Sequence, residues 1–228
     1  MSRIDLRVYK KGLRAKMRAL RQNMPEVLKK EKDRLIFEKI VRLPQYKKAK
    51  VLITYVSSQV EVDTRRLICR AFKDGKQVAV PRCIPNSREM QMHFISSMED
   101  LAPGAYGILE PSPQAKVCGT GAGALCIVPA FCNDLKGYRL GYGGGYYDRY
   151  LSRFRGVKVG VNYSDCVIPA LEHGRYDVPL HMLVTERKVH HIKPEKKAKH
   201  ALVMGKGQGK KEKSRLAKAR RQGAKTGR

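Results

Sequence analysis

An α/β fold with a mostly parallel sheet flanked by helices is predicted from three observations. Short apolar, β-branched runs at residues 51–56, 77–81, 124–128 and 157–161 alternate with stretches of helical periodicity. Gly, Pro, Asn and Asp punctuate them, the residues that stop helices and turn chains. A glycine-rich run, Gly137-Tyr138-Arg139-Leu140-Gly141-Tyr142-Gly143-Gly144-Gly145-Tyr146-Tyr147-Asp148-Arg149, follows the third apolar run and opens a helix. Ligands of open sheets bind beyond the carboxyl ends of such strands.

In chain order, residues 4–22 form an amphipathic helix with Ile4, Leu6, Val8, Leu13, Met17 and Leu20 among Lys and Arg, including Lys10 and Arg14. A second helix starts at Pro25, a good first-turn residue, and runs through Leu28, Leu35, Ile36 and Ile40 to Arg42, before Pro44. Val51-Leu52-Ile53-Thr54-Tyr55-Val56 reads as a buried strand. Asp63-Thr64 then opens a helix carrying Leu67, Ile68, Ala71 and Phe72 that ends at Gly75. Gln77–Pro81 and the alternating Met90–Ile95 are strands around the turn residues Pro85-Asn86-Ser87, with an antiparallel ribbon near 88–96. Residues 124–128 are the strand before the glycine run. Tyr146, Arg149, Tyr150, Leu151 and Phe154 have helical spacing up to Gly156, and strands at 157–161 and 182–185 complete the domain.

The order strand, glycine loop, helix places unpaired N–H groups and a helix dipole where an anion can sit. The loop is neither common nucleotide fingerprint. A G-x-G-x-x-G count from Gly141 fails at Tyr146, and no glycine is followed by Lys and then Ser or Thr. Phosphate binding and a purely structural glycine turn therefore both remain open on spacing. Arg139 offers a forked cation and Asp148 a hard oxygen ligand. Ser57-Ser58-Gln59-Val60-Glu61, after the first strand, is expected to face the same crevice.

The chain has 228 residues and a net charge of +28, distributed as +12 over residues 1–50, +4 over 51–192 and +12 over 193–228. The central domain is nearly balanced and the ends carry the excess. Domain 1–192 is thus expected to be followed by a basic, disordered tail, 193–228, with Lys206-Gly207-Gln208-Gly209-Lys210-Lys211 and a Lys/Arg/Ala run. No apolar run approaches the roughly 20 residues of a membrane span, and no signal core follows Met1, so a cytoplasmic, non-membrane protein is expected. The six cysteines include no C-x-x-C pair, and neither zinc nor disulfides are predicted; Cys69 and Cys126 are expected to pack as small hydrophobes.

Lys10-x-x-x-Arg14, Gln59-x-Glu61-Val62-Asp63-Thr64, Val80-Pro81-Arg82, Tyr106-Gly107-Ile108-x-Glu110-Pro111 and Arg139-Leu140-Gly141-Tyr142-Gly143-Gly144-Gly145-Tyr146-Tyr147-Asp148-Arg149, in this order over residues 5–190, resemble the 5-formyltetrahydrofolate cyclo-ligase (5,10-methenyltetrahydrofolate synthetase) family. The resemblance implies a Rossmann-like fold. It also implies an ATP- and Mg²⁺-dependent closure of 5-formyltetrahydrofolate to 5,10-methenyltetrahydrofolate, with release of ADP and phosphate. By the same resemblance Lys10 and Arg14 reach ATP phosphates, and Arg139, Leu140, Gly141, Tyr142, Gly143, Gly144, Gly145, Tyr146 and Tyr147 wrap the nucleotide. Arg139 and Tyr147 serve the chemistry, and Asp148 holds Mg²⁺. Glu61 takes the pterin, with Val56 and Tyr147 flanking the folate.

One position departs from the family pattern. Where a second late aspartate is usual, Asp177-Val178-Pro179-Leu180-His181 presents His181 on the metal side, a poorer partner for Mg²⁺ than carboxylate oxygen. The tail lies outside the resemblance and suits RNA or another polyanion by counterion release. The competing functional reading is a catalytically altered member of the fold that binds nucleotide and RNA through its basic ends.

Overall fold

The structure is a computed structural model and describes residues 5–119 and 121–193. The helices are α1 (Leu6–Gln22), α2 (Glu26–Arg42), α3 (Pro44–Lys48), α4 (Arg65–Lys73) and α5 (Tyr146–Arg153). The strands are β1 (Val51–Ile53), β2 (Gln77–Cys83), β3 (Met90–Ile95), β4 (Leu101–Pro103), β5 (Leu109–Pro111), β6 (Leu125–Val128), β7 (Cys132–Asp134), β8 (Arg139–Leu140), β9 (Val157–Val161), β10 (Val167–Ile168), β11 (Met182–Val184) and β12 (Val189–His191). Seven strands form the main sheet in the order β12-β11-β9-β6-β1-β2-β3. The inner five are parallel, and β3 and β12 close the edges in antiparallel pairing.

Burial on both faces explains why these strands read as continuous apolar runs. Leu125, Cys126, Ile127 and Val128 of β6 are each at most 1% exposed. On one face Ile36, Phe37 and Ile40 of α2 and Leu67, Ile68 and Ala71 of α4 pack over Leu52, Val78, Leu125, Ile127 and Val159. On the other, Leu151 of α5 and Phe154 just beyond it cover Ile53, Ala79, Cys126 and Val128. A third cluster joins Met17 of α1 to Phe131, Cys132 and Leu140, which fixes α1 on the small sheet β10-β7-β8. Asp5 caps α1 by accepting from the Arg7 N–H at 2.8 Å.

The α/β class, the mostly parallel sheet and the antiparallel ribbon match the sequence reading, with several differences. The glycine loop does not follow β6 directly, because the hairpin β7–β8 intervenes and makes Arg139 and Leu140 strand residues. Buried Asp134 holds its turn, accepting from the Lys136 and Tyr138 N–H groups at 3.0 and 2.8 Å and from the Leu171 N–H at 3.0 Å. β1 ends at Ile53 rather than Val56. Pro44, read as a terminator, starts the short α3, and β4, β5 and β12 were not foreseen.

Cys69 is exposed, unlike Cys126, because the helical period of α4 turns Leu67, Ile68 and Ala71 inward and leaves position 69 outside. The motif residues Arg82 and Glu110 brace β2 on β5. Buried Glu110 accepts from the Cys83 N–H at 3.1 Å and lies 3.6 Å from the Arg82 guanidinium. Apart from Lys193, the expected tail 193–228 lies outside the described residues. Among the described residues no helix is long and apolar enough to cross a membrane.

Candidate active site

The parallel strands run β2-β1-β6-β9-β11 in space, so the winding direction reverses between β1 and β6. Past the carboxyl ends of those two strands lies the crevice where doubly wound sheets take their ligands. From β1 comes Ser57–Glu61. Glu61 is 7% exposed, and its Oε2 accepts from both the N–H and the hydroxyl of Ser58, each at 2.8 Å. Its Oε1 accepts from the Tyr142 hydroxyl at 2.6 Å. Burial and the Glu61 carboxylate hold the Tyr142 phenol above its ordinary range, so it stays a donor. From β6 comes Phe131, whose ring lies 4.5 Å from that of Tyr142. The two segments expected to share one crevice do meet.

The glycine loop is shaped by its neighbours. Gly145 has φ +72°, and a Cβ there would stand 2.8 Å from the Arg149 guanidinium. Gly143 has φ +101°, with a Cβ position 3.4 Å from the guanidinium of Arg14. Arg14 also donates from Nε to the Gly141 carbonyl at 2.8 Å, which sets α1 against the loop. Among the described residues no side chain caps the amino end of α5, and first-turn N–H groups and a helix dipole of this kind suit an anion. Lys10, one turn before Arg14, pairs with Asp177 at 3.2 Å.

Arg139 and Asp148 form the other side. The Arg139 side chain is 3% exposed; it donates to Asp148 Oδ1 and to the Val178 carbonyl, both at 2.7 Å. The Val178 N–H also donates to Asp148 Oδ1, at 3.2 Å. Both bonds to Asp148 fall on Oδ1, and Oδ2 is an oxygen of the kind that a hard cation takes. Tyr147 packs its ring on the core beside Tyr146 and Tyr150. Its hydroxyl is buried with no hydrogen-bond partner among the described residues, and burial raises it well above an ordinary phenol. Leu140 is buried, and so is Val56, inside the α2–α4 core behind Ser57.

His181 follows Val178, the partner of both Arg139 and Asp148, by three residues. It precedes β11 at the amino end of the parallel strands, and its Nδ1 accepts from the Lys158 N–H at 3.1 Å. That bond uses the lone pair of a neutral ring, whose proton then sits on Nε2. Burial and the Lys158 ammonium lower its pKa, so the ring brings no charge.

Sequence reasoning missed the residues that hold the crevice together. Arg21 of α1 is 5% exposed and donates to the carbonyls of Ala130 and Phe131, to Asn162 Oδ1 at 2.7 Å and to the Val60 carbonyl at 3.3 Å. Tyr163 donates to Asp33 Oδ1 at 2.8 Å and to the Glu61 carbonyl at 3.3 Å, while Asp33 accepts from the Asp63 N–H at 3.2 Å. Nothing local separates Arg21 from its solvated neighbour Arg18; only its place at the end of β6 does. Beside Ser57 and Ser58 lies a cleft of about 470 Å³ between α2 and α4, rimmed by Lys29, Arg65 and Arg66.

These features define a doubly wound α/β domain that carries the parts from which phosphate sites are built: a helix amino end, a glycine loop and flanking cations. Residues 7–186 match the family model described as the 5-formyltetrahydrofolate cyclo-ligase family. A probable 5-formyltetrahydrofolate cyclo-ligase of Schizosaccharomyces pombe is 35% identical over 68% of this chain and 83% of its own length. The 5-formyltetrahydrofolate cyclo-ligase of Mus musculus is 30% identical over 67% and 78%. Among solved structures, the 5,10-methenyltetrahydrofolate synthetase of Aquifex aeolicus superposes with a TM-score of 0.71 at 31% identity, covering 86% of this chain and 98% of that one. The chain belongs to the 5-formyltetrahydrofolate cyclo-ligase family.

Proposed function

We propose that the protein converts 5-formyltetrahydrofolate to 5,10-methenyltetrahydrofolate with ATP and Mg²⁺, releasing ADP and phosphate through a phosphorylated formyl group. The observation that carries this reading is the 2.6 Å bond between Tyr142 of the glycine loop and Glu61 of the β1 segment, which brings a phosphate cradle and a buried carboxylate into one crevice. A formamide oxygen is a poor leaving group, and ATP supplies the phosphoryl group that makes it a good one. The protein's part is then positioning and charge neutralisation. The amino end of α5, Arg14 and Lys10 hold phosphate; Arg139 faces Asp148, and Asp148 Oδ2 is the seat for Mg²⁺, which keeps most of its ligands as water and phosphate oxygen. Glu61 accepts from the amino and ring N–H groups of the pterin. The test is the ATP-dependent growth of methenyltetrahydrofolate absorbance when purified protein meets 5-formyltetrahydrofolate and Mg²⁺. Absence of that growth, with ATP still bound, overturns the reading.

His181 gives a sharper expectation on the metal side. His181→Asp replaces a neutral ring by a carboxylate and should lower both the Mg²⁺ concentration for half-maximal activity and that for half-maximal thermal stabilisation by Mg²⁺ with ADP. If neither moves, position 181 has no part in holding the metal.

The basic segment 193–228, with its net +12, is the basis for proposing a polyanionic partner, RNA, beyond the folate substrate. Deleting residues 196–228 should preserve turnover and remove an RNA affinity that falls steeply between roughly 50 and 200 mM salt. Unchanged RNA binding in the shortened protein discards the idea.

A further inference from the structure

The Tyr142 hydroxyl and the Glu61 carboxylate belong to different binding elements, the glycine loop and the segment after β1, and yet are directly joined. Counting acceptors shows what their bond does. A carboxylate offers about four lone-pair sites, two on each oxygen. Ser58 fills both on Oε2 with its N–H and hydroxyl, and Tyr142 fills one on Oε1. One site is left, while a ligand edge with two adjacent N–H donors, such as a pterin presents, needs two. In the ligand-free protein Glu61 is thus partly shielded by a residue of the opposite element.

Tyr142 is itself tethered to the phosphate side. The Gly141 carbonyl accepts from Arg14 Nε at 2.8 Å, and the Arg14 guanidinium also lies against Gly143. The tyrosine therefore sits between two glycines that one cation touches. It has room to leave: the residue is 51% exposed, and its ring makes a tilted contact with Phe131.

We propose that Tyr142 is a positioning residue that makes pterin binding depend on the nucleotide. Without nucleotide, Arg14 holds Gly141 and Tyr142 shields Glu61. A phosphate that draws the Arg14 guanidinium off Gly141 frees the loop, Tyr142 leaves Oε1, and the carboxylate presents both sites to the pterin. The inference rests on the assignment of the loop to nucleotide and of Glu61 to the pterin made above. It adds an order of events to that assignment, nucleotide before folate.

The test is a titration of 5-formyltetrahydrofolate into wild type and Tyr142→Phe, each with and without Mg²⁺ and a non-hydrolysable ATP analogue. The phenyl ring keeps the contact with Phe131 and removes only the donor. Wild type should bind the folate at least about fivefold more tightly with the analogue present, the lower end of ordinary coupling between sites. Tyr142→Phe should bind it more tightly than wild type when the analogue is absent, because the shielding is gone, and the gap should shrink to under about twofold. A merely structural tyrosine would weaken the folate in both conditions. That outcome, an undiminished gap in the variant, or no gap in wild type, overturns the proposal. Failure of wild type to bind either ligand removes the assignment of the site itself, and the proposal with it.

Discussion

Asp148→Asn should lower kcat by roughly 10²–10³-fold, the usual loss when one preorganised charge at a reacting phosphoryl group is removed. The substitution is nearly isosteric. An amide oxygen can still accept from Arg139 and from the Val178 N–H, so the local frame of β8, α5 and residue 178 stays connected. What disappears is the anionic charge at Oδ2, the proposed seat for Mg²⁺. Arg139, 3% exposed in its side chain, then faces only neutral acceptors, which should cost about 1–3 kcal/mol in urea unfolding. The protein remains folded, and turnover can be measured on it. Two measurements separate the roles: kcat at saturating ATP, and half-saturation by Mg²⁺, which should rise. A variant with near-wild-type kcat and an unchanged Mg²⁺ requirement would show Asp148 to be a strut for Arg139 alone.

Glu61→Gln should raise the KM for 5-formyltetrahydrofolate by about 10- to 100-fold while leaving the affinity for an ATP analogue within about twofold. Hydrogen bonds to a charged group contribute about 1.5–3 kcal/mol, which is the origin of that range. Glu61 now receives three donors, from Ser58 twice and Tyr142 once, and with the pterin bound it would receive four, two from Ser58 and two from the ligand in place of Tyr142. A carboxamide keeps one acceptor oxygen and turns an NH₂ toward some of those donors, so at least one is left facing a donor in a site 7% exposed. Since Tyr142 belongs to the glycine loop, a small change on the nucleotide side is expected. Equal loss for both ligands would mean that Glu61 holds the loop in place and has no selective bond to the folate.

Much of this architecture was legible in the sequence because parallel strands buried on both faces leave an unmistakable record. The runs at 51–56, 77–81, 124–128 and 157–161 each fell on a strand of the sheet, and the glycine run fell at the start of a helix. Elements fixed by a single side chain were harder. The hairpin β7–β8 is closed by Asp134 and reads from the sequence as loop, since its strands are only three and two residues long. The site divided in the same way. Glycines, Arg139 and Asp148 announce themselves by residue type and spacing. Arg21 and Tyr163 act through contacts to segments 39 to 141 residues away, and no local pattern marks a basic residue on a basic helix as buried. His181 is visible in the sequence as a departure, but its bond to the Lys158 N–H depends on the pairing of β9 with β11, which composition does not reveal.

The Arg21 clamp bears on how firmly α1 stays on the crevice in acid. It gathers α1, the Val60 turn and the ends of β6 and β9 on one guanidinium, and every acceptor it uses is a carbonyl or an amide. Guanidinium groups do not lose their proton under conditions where proteins fold, and carbonyls and amides do not ionise there. The attachment of α1 to the Val60 turn and to the ends of β6 and β9 is therefore indifferent to pH, and moderate acid should leave it in place.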